Sequence, residues 1–148
     1  MAVVQNTFGE DIATGYPGME ADGELSNIIS RTLESVSVGF GKAVYVGTAD
    51  RGCTTTPSAE LLGFTIAHKG LVVTAARAAD TYIQGDTLPV KNRGKIWVLA
   101  GAAVADRDPV YVTSAGAITN VSISNTAATG WIFDDTVASG APVRIVRR

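Results

Sequence analysis

Cysteine and histidine occur once each in this 148-residue chain, as Cys53 and His68. A lone cysteine excludes an intramolecular disulfide, and the expectation is a protein made in, and kept in, a reducing cytoplasm. One cysteine and one histidine cannot furnish a four-ligand zinc site without carboxylates. A cysteine nucleophile would need His68 at its side. His68 stands instead in "IAHKG", a turn sequence in which a single histidine reads as a surface residue. Charge is also scarce, at 18% of residues with a net of −2. That balance gives no electrostatic case for nucleic acid or an anionic membrane as partner. The longest nearly uninterrupted apolar run, Ile96 to Ala105, is far shorter than the roughly 20 residues of a membrane span. The first residues lack the basic-then-apolar order of a signal peptide. Neither a Walker A pattern nor GxGxxG occurs, and no cofactor is expected.

The carboxylates add little chemistry. Asp106 and Asp108 alternate in "DRDP", but an arginine sits between them and proline follows, which suits a strand-end turn better than calcium. Asp134 and Asp135 form a like-charge pair after an apolar run and read the same way. An enzyme would need Cys53, His68 or this pair to converge in a cleft. The residues point to a non-catalytic protein.

What is abundant is short β-type runs. Val, Ile, Tyr and Thr gather at Ala43–Val46, Leu62–Ala67, Leu71–Thr74, Leu88–Val90, Lys95–Leu99, Val110–Thr113, Ala117–Val121, Trp131–Phe133 and Val143–Val146. Glycines at 70, 85, 94, 116, 130 and 140 fall between them as turn signals. Leu62, Phe64 and Ile66 alternate with polar or small residues, which predicts one buried face. "SAGA" predicts a hairpin with Gly116 at positive φ. Pro89 predicts an edge strand or a bulge. The fold class expected is all-β: a small β-sandwich or jelly-roll-like body of about eight to nine short strands, residues 25–148. Residues 25–33 are open between two forms. Leu25, Ile28, Ile29 and Leu33 share a helical face that Asp22 could cap. The period-two "SVSVGFG" that follows favours extended chain.

Residues 1–24 differ in kind. They are rich in Gly, Pro and acids, yet carry Phe8, Ile12, Tyr16 and Met19. Residues 1–41 hold six acids against Arg31 alone, whereas the remainder has a basic excess. This predicts an extended acidic N-terminal arm, 1–24, whose four large apolar side chains are anchors on a neighbour or a cover for the protein's own sheet edge. Arg144, Arg147 and Arg148 form a basic C-terminal end.

The stretches "TYIQGDTLPVKNRGKIWVLAGAAVADRDPVYVTSAGAI" and "GWIFDDTVASGAPVRIVRR" resemble the phage capsid cement, or decoration, proteins of the structural cement type. "VGFGKAVYVG" upstream matches the same pattern, so the resemblance runs from about Ile29 to the C-terminus. It implies a virion protein on the outer surface of the head that ties neighbouring major capsid subunits together as a homo-dimer or homo-trimer. On that reading the interface residues are Phe8, Ile12, Tyr16, Met19, Arg144, Arg147 and Arg148, with no nucleic acid, membrane or metal involved. The alternative is a β-sandwich module binding a glycan or host surface, which predicts an exposed Trp97 or Trp131 in a shallow groove.

Overall fold

A computed structural model describes residues 15–148. The described chain is all-β, with eleven strands: β1 (Asn27–Leu33), β2 (Ser37–Gly39), β3 (Ala43–Val46), β4 (Gly52–Thr54), β5 (Leu61–Thr65), β6 (Thr81–Ile83), β7 (Thr87–Leu99), β8 (Pro109–Val112), β9 (Ile118–Thr119), β10 (Thr126–Phe133) and β11 (Pro142–Arg147). Residues 27–33 are strand, which resolves the choice left open at 25–33.

The body is organised around one 13-residue strand, β7. Its first half joins β1, β4, β3 and β5 into a ring, because β1 pairs with both β4 and β7. Its second half leads through β11, β10 and β8 to β9, and a bridge from Ile118 back to Ala100 closes a second ring. Closure leaves few unpaired edges, the usual vulnerability of a small β-protein. The two-stranded β2–β6 sheet lies over the first ring and buries Val38 and Tyr82 in it.

Two cores follow from the two rings. Leu33, Val44, Cys53, Leu62, Leu88 and Val90 fill the first. Ile96, Val98, Val110, Val112, Ile118, Phe133, Val143 and Ile145 fill the second, where Ala43, Tyr45 and Phe64 of the first ring also reach. Strand β3 is therefore buried on both faces at Ala43–Tyr45, which explains the unbroken apolar "AVY", while Val46 at its end is exposed. Phe64 meets Trp131 edge-on across the boundary, with ring centroids 4.9 Å apart.

Five expectations about the strands are corrected. Leu62 and Phe64 do not share a face. The β3–β5 register passes from Val44↔Gly63 to Tyr45↔Leu61, so Leu62 is the extra residue of a bulge and the alternation flips there. Gly63, at φ +148°, permits it, since a Cβ would overlap the Lys91 carbonyl. Nor is the stretch about Gly94 a turn between strands. It runs on as strand, with Asn92 the extra residue opposite β1 and Gly94 at φ +106° inside β7. The Asn92 side-chain amide donates to the Leu62 carbonyl at 2.7 Å, so each bulge helps satisfy the other. Gly130, at φ +84°, likewise lies within β10 and not between strands. Leu71–Thr74 is no strand: Thr74 takes the Arg77 N–H into a local turn, leaving Val72 and Val73 exposed.

Pro89 lies inside β7, between β1 and β5, and not on an edge. It is tolerated because its peptide faces the end of β5, where its carbonyl accepts from Ile66 at 3.0 Å and its missing N–H falls past Thr65. The 113–117 hairpin is as expected, with Gly116 at φ +80°.

Candidate functional site

The middle of β7 places Lys91 and Lys95 where a strand between two cores should carry apolar residues. Lys91 is fully buried and Lys95 is nearly so. Burying an ammonium without a partner is costly, and the partners come from the acidic leader. Residues 18–21 run antiparallel to β7: Gly18 N–H donates to the Trp97 carbonyl at 2.8 Å, Trp97 N–H to Met19 at 2.9 Å, and Ala21 N–H to Lys95 at 3.2 Å. This pairing brings Glu20 onto the Lys91 ammonium, which also donates to Ser26 Oγ at 2.7 Å. Gly94 leaves room for the lysine stem, because a Cβ there would sit 2.9 Å from Lys91 Cε.

Lys95 is held by Asp134 at 2.9 Å, Asp22 at 3.2 Å and Glu24 at 3.5 Å. Its pKa rises above the ordinary lysine value, first through the hydrogen bond to Asp134, which outweighs the opposing effect of burial, with the bond to Asp22 adding to the rise. Asp22 is held below the usual carboxylate value by the Glu24 N–H and by Lys95. Arg148 completes the cluster with Nε 2.6 Å from Glu24 Oε1. The charge asymmetry of the sequence is thus neutralised largely within the chain: leader acids meet body bases.

Beside this cluster Arg144 grips Asp135 with its guanidinium, Nε at 2.8 Å, and with its backbone N–H at 3.1 Å. The pairing holds the Asp135 carboxyl low and raises the arginine. The same guanidinium stands 5.7 Å from the centre of the Trp97 ring, whose other surroundings include Gly15. Lysine, arginine and carboxylate groups here are spent on one another, and the arrangement fastens a segment to a sheet. Among the described residues no group of three or more His, Cys, Asp or Glu is placed to hold a metal ion. Cys53 is buried in the first core and its thiol is pushed up to about 11 by burial, with Glu34 adding to the effect, while His68 is exposed on its turn.

A family model described as structural cement protein (E217 gp24/Pam3 gp6) matches residues 4–148. The chain belongs to the phage structural cement protein family. Membership makes it a capsid-associated structural protein of the virion. Among solved structures, a chain from "The capsid of Myoviridae Phage XM1" superposes with a TM-score of 0.70 at 17% identity, covering 99% of this chain and 97% of that one. That likeness is one of fold. The head fibre gp8.5 N base of bacteriophage phi29 gives a TM-score of 0.49 at 13% identity, over 84% of this chain and 95% of that one. No curated protein matches the sequence.

The residues expected at an interface are scattered in their roles. Phe8 and Ile12 lie outside the described residues. Tyr16 is 42% exposed, with Lys69 Nζ 4.4 Å from its ring centre. Met19 is half-buried and fixed by its backbone to β7. Arg144 and Arg148 are engaged as described, and Arg147 reaches the Asn92 carbonyl at 3.4 Å. Trp131, a candidate glycan platform, is buried against Phe64. Sequence reasoning missed Lys91 and Lys95, although two lysines flanking a glycine between apolar half-strands were the available signal.

Proposed function

We propose that this cement protein binds the outer surface of an assembled phage head and stabilises it by bridging neighbouring major capsid subunits as a homo-dimer or homo-trimer. The observation that carries the reading is the leader's root. Residues 15–24 are fastened to β7 by backbone pairing and by the Glu20, Asp22 and Glu24 contacts, which fixes the point from which residues 1–14 set out. Fourteen residues reach at most about 50 Å, more than the width of a body this size. Phe8 and Ile12 are then the anchors on a neighbour, and exposed Tyr16 continues the same contact near the root. A protein that binds the assembled shell and not its parts stabilises it by mass action. Several modest contacts from one oligomer add through effective concentration. No step of this needs a catalytic group, a nucleic acid or a membrane, and synthesis in the host cytoplasm suits it.

Co-sedimentation with mature, undecorated heads tests the proposal, using the full chain and a form lacking residues 1–14. Binding by the full chain that weakens at least tenfold on truncation is expected. Undiminished binding by the truncated form would return the anchoring role to the body, and absence of binding by the full chain would sink the bridging role.

A further inference from the structure

Five of the twelve Lys and Arg residues meet no carboxylate among the described residues, and two of these, Arg31 and Arg51, line one cleft. The cleft has a volume of about 200 Å³ and is completed by Ser30, Thr32 and Thr87. It exists because β1 and β4 pair only at Thr32↔Gly52 and Leu33↔Cys53 and part beyond them. The Thr32 N–H donates to Arg51 of the β4 side, whereas Leu33 N–H turns to Asp86. By strand alternation the backbone groups of Ile28 and Ser30 then face away from β7, along an edge with no partner strand among the described residues. One of these, the Ser30 carbonyl, accepts from Arg31. Leu25 and Ile28 extend the same edge as exposed apolar side chains, 59% and 45% accessible.

A free strand edge flanked by two guanidinium groups and three hydroxyls fits one kind of ligand: an extended, acidic peptide. Backbone pairing supplies affinity and arginine forks read carboxylates. We infer that this cleft receives the leader of a second copy of the chain, with Glu10 and Asp11 on Arg31 and Arg51, and Phe8 or Ile12 against Leu25 and Ile28. The inference rests on the proposed association of copies and names its surface.

The leader of the same chain would have to turn back from Gly15, beside Trp97, toward Thr87 at the other end of β7, and a monomeric wild type would assign the cleft to it. Charge favours the acidic leader as occupant: within the described body its other acids are matched by Lys91, Lys95 and Arg148, which leaves Glu10 and Asp11 as its remaining acids, and of the five unmatched bases Arg31 and Arg51 are two that share a cleft. Asp50, next to Arg51, is exposed on its turn.

Sedimentation equilibrium of the full-length protein tests this, with Arg31→Glu/Arg51→Glu and Glu10→Arg/Asp11→Arg as charge reversals. The wild type is expected to self-associate, each variant to do so at least tenfold more weakly, and an equimolar mixture of the two variants to recover association. Recovery is the discriminating readout, since each variant's leader then matches the other's cleft and a misfolded variant could not show it. Variants that associate like the wild type, a mixture that stays dissociated, or a wild type that is monomeric throughout would each overturn the inference. Head co-sedimentation by the same variants keeps the outcomes apart: wild-type binding to heads together with charge-insensitive association would overturn the cleft's role and leave capsid binding standing.

Discussion

Glu20 meets the buried ammonium of Lys91 from 71 positions earlier in the sequence, and no other carboxylate contacts that lysine among the described residues. The pair is asymmetric, because the lysine side chain is fully covered whereas the glutamate is 45% exposed. Removing the acid should therefore hurt more than removing both charges. Glu20→Gln leaves a buried cation with Ser26 as its remaining partner and should cost about 1–3 kcal/mol. The Glu20→Gln/Lys91→Met double variant should recover most of that loss. Urea unfolding midpoints of the three proteins check the order.

Gly63→Ala should be among the more damaging single-methyl changes in the chain. The strained backbone alone costs about 1–3 kcal/mol, and the new Cβ overlaps the Lys91 carbonyl. The bulge that sends Leu62 and Phe64 to different cores would have to give way. A fall in thermal midpoint larger than that of Gly116→Ala, where nothing lies within 4 Å, is the expected result.

Tyr45→Phe should leave stability unchanged or raise it by about 1 kcal/mol. The hydroxyl is buried without a hydrogen-bond partner among the described residues, and burial pushes its pKa up to about 12. Removing it deletes an unsatisfied group while keeping the ring that fills the second core. Differential scanning calorimetry of the two proteins decides the sign; a clear loss would reveal a partner for the hydroxyl.

Acid should loosen the leader and the C-terminal strand together. Asp22 and Asp135 both have folded pKa values below the ordinary 3.8, the first through the Glu24 N–H and Lys95, the second through Arg144. A depressed carboxyl stabilises the fold fully above its unfolded value and loses that contribution as pH falls through the folded one. The thermal midpoint should thus drop as pH goes from about 4 downward. Asp135→Asn should start lower at neutral pH and converge on the wild type in acid. A variant that stays parallel to the wild type down to about pH 2 would remove Asp135 from this account.

Much of the fold was legible because strand periodicity is local. "AVYV", "PVYV" and "VRIV" announce β3, β8 and β11, and Gly116 announces its turn. What was not legible depended on partners distant in sequence. The residues about Gly94 read as a turn between two strands because nothing within a window of ten residues says that Glu20 and Asp22 will cover Lys91 and Lys95. Leu62 and Phe64 read as one face because a bulge is fixed by the opposite strand, here through Gly63 and the Lys91 carbonyl. The ion pairs of the C-terminal arginines were equally hidden: Arg144 and Arg148 stand without a neighbouring acid in sequence, and the fold brings Asp135 and Glu24 to them. Arg31 and Arg51, which stand 20 positions apart, come together only through the β1–β4 pairing.

The sharing of β7 by both rings has a mechanical consequence. A pull that separates the rings along this strand must slide it either past β1 at Ile28–Thr32 and β5 at Phe64–Thr65 or past β11 at Pro142–Arg147, in the plane of their hydrogen bonds. Bonds loaded in that direction bear force side by side and fail together, whereas a hairpin pulled from one end opens rung by rung. The shared strand therefore resists a pull along its length, which runs from Trp97 beside the leader's root to Thr87 at the arginine cleft.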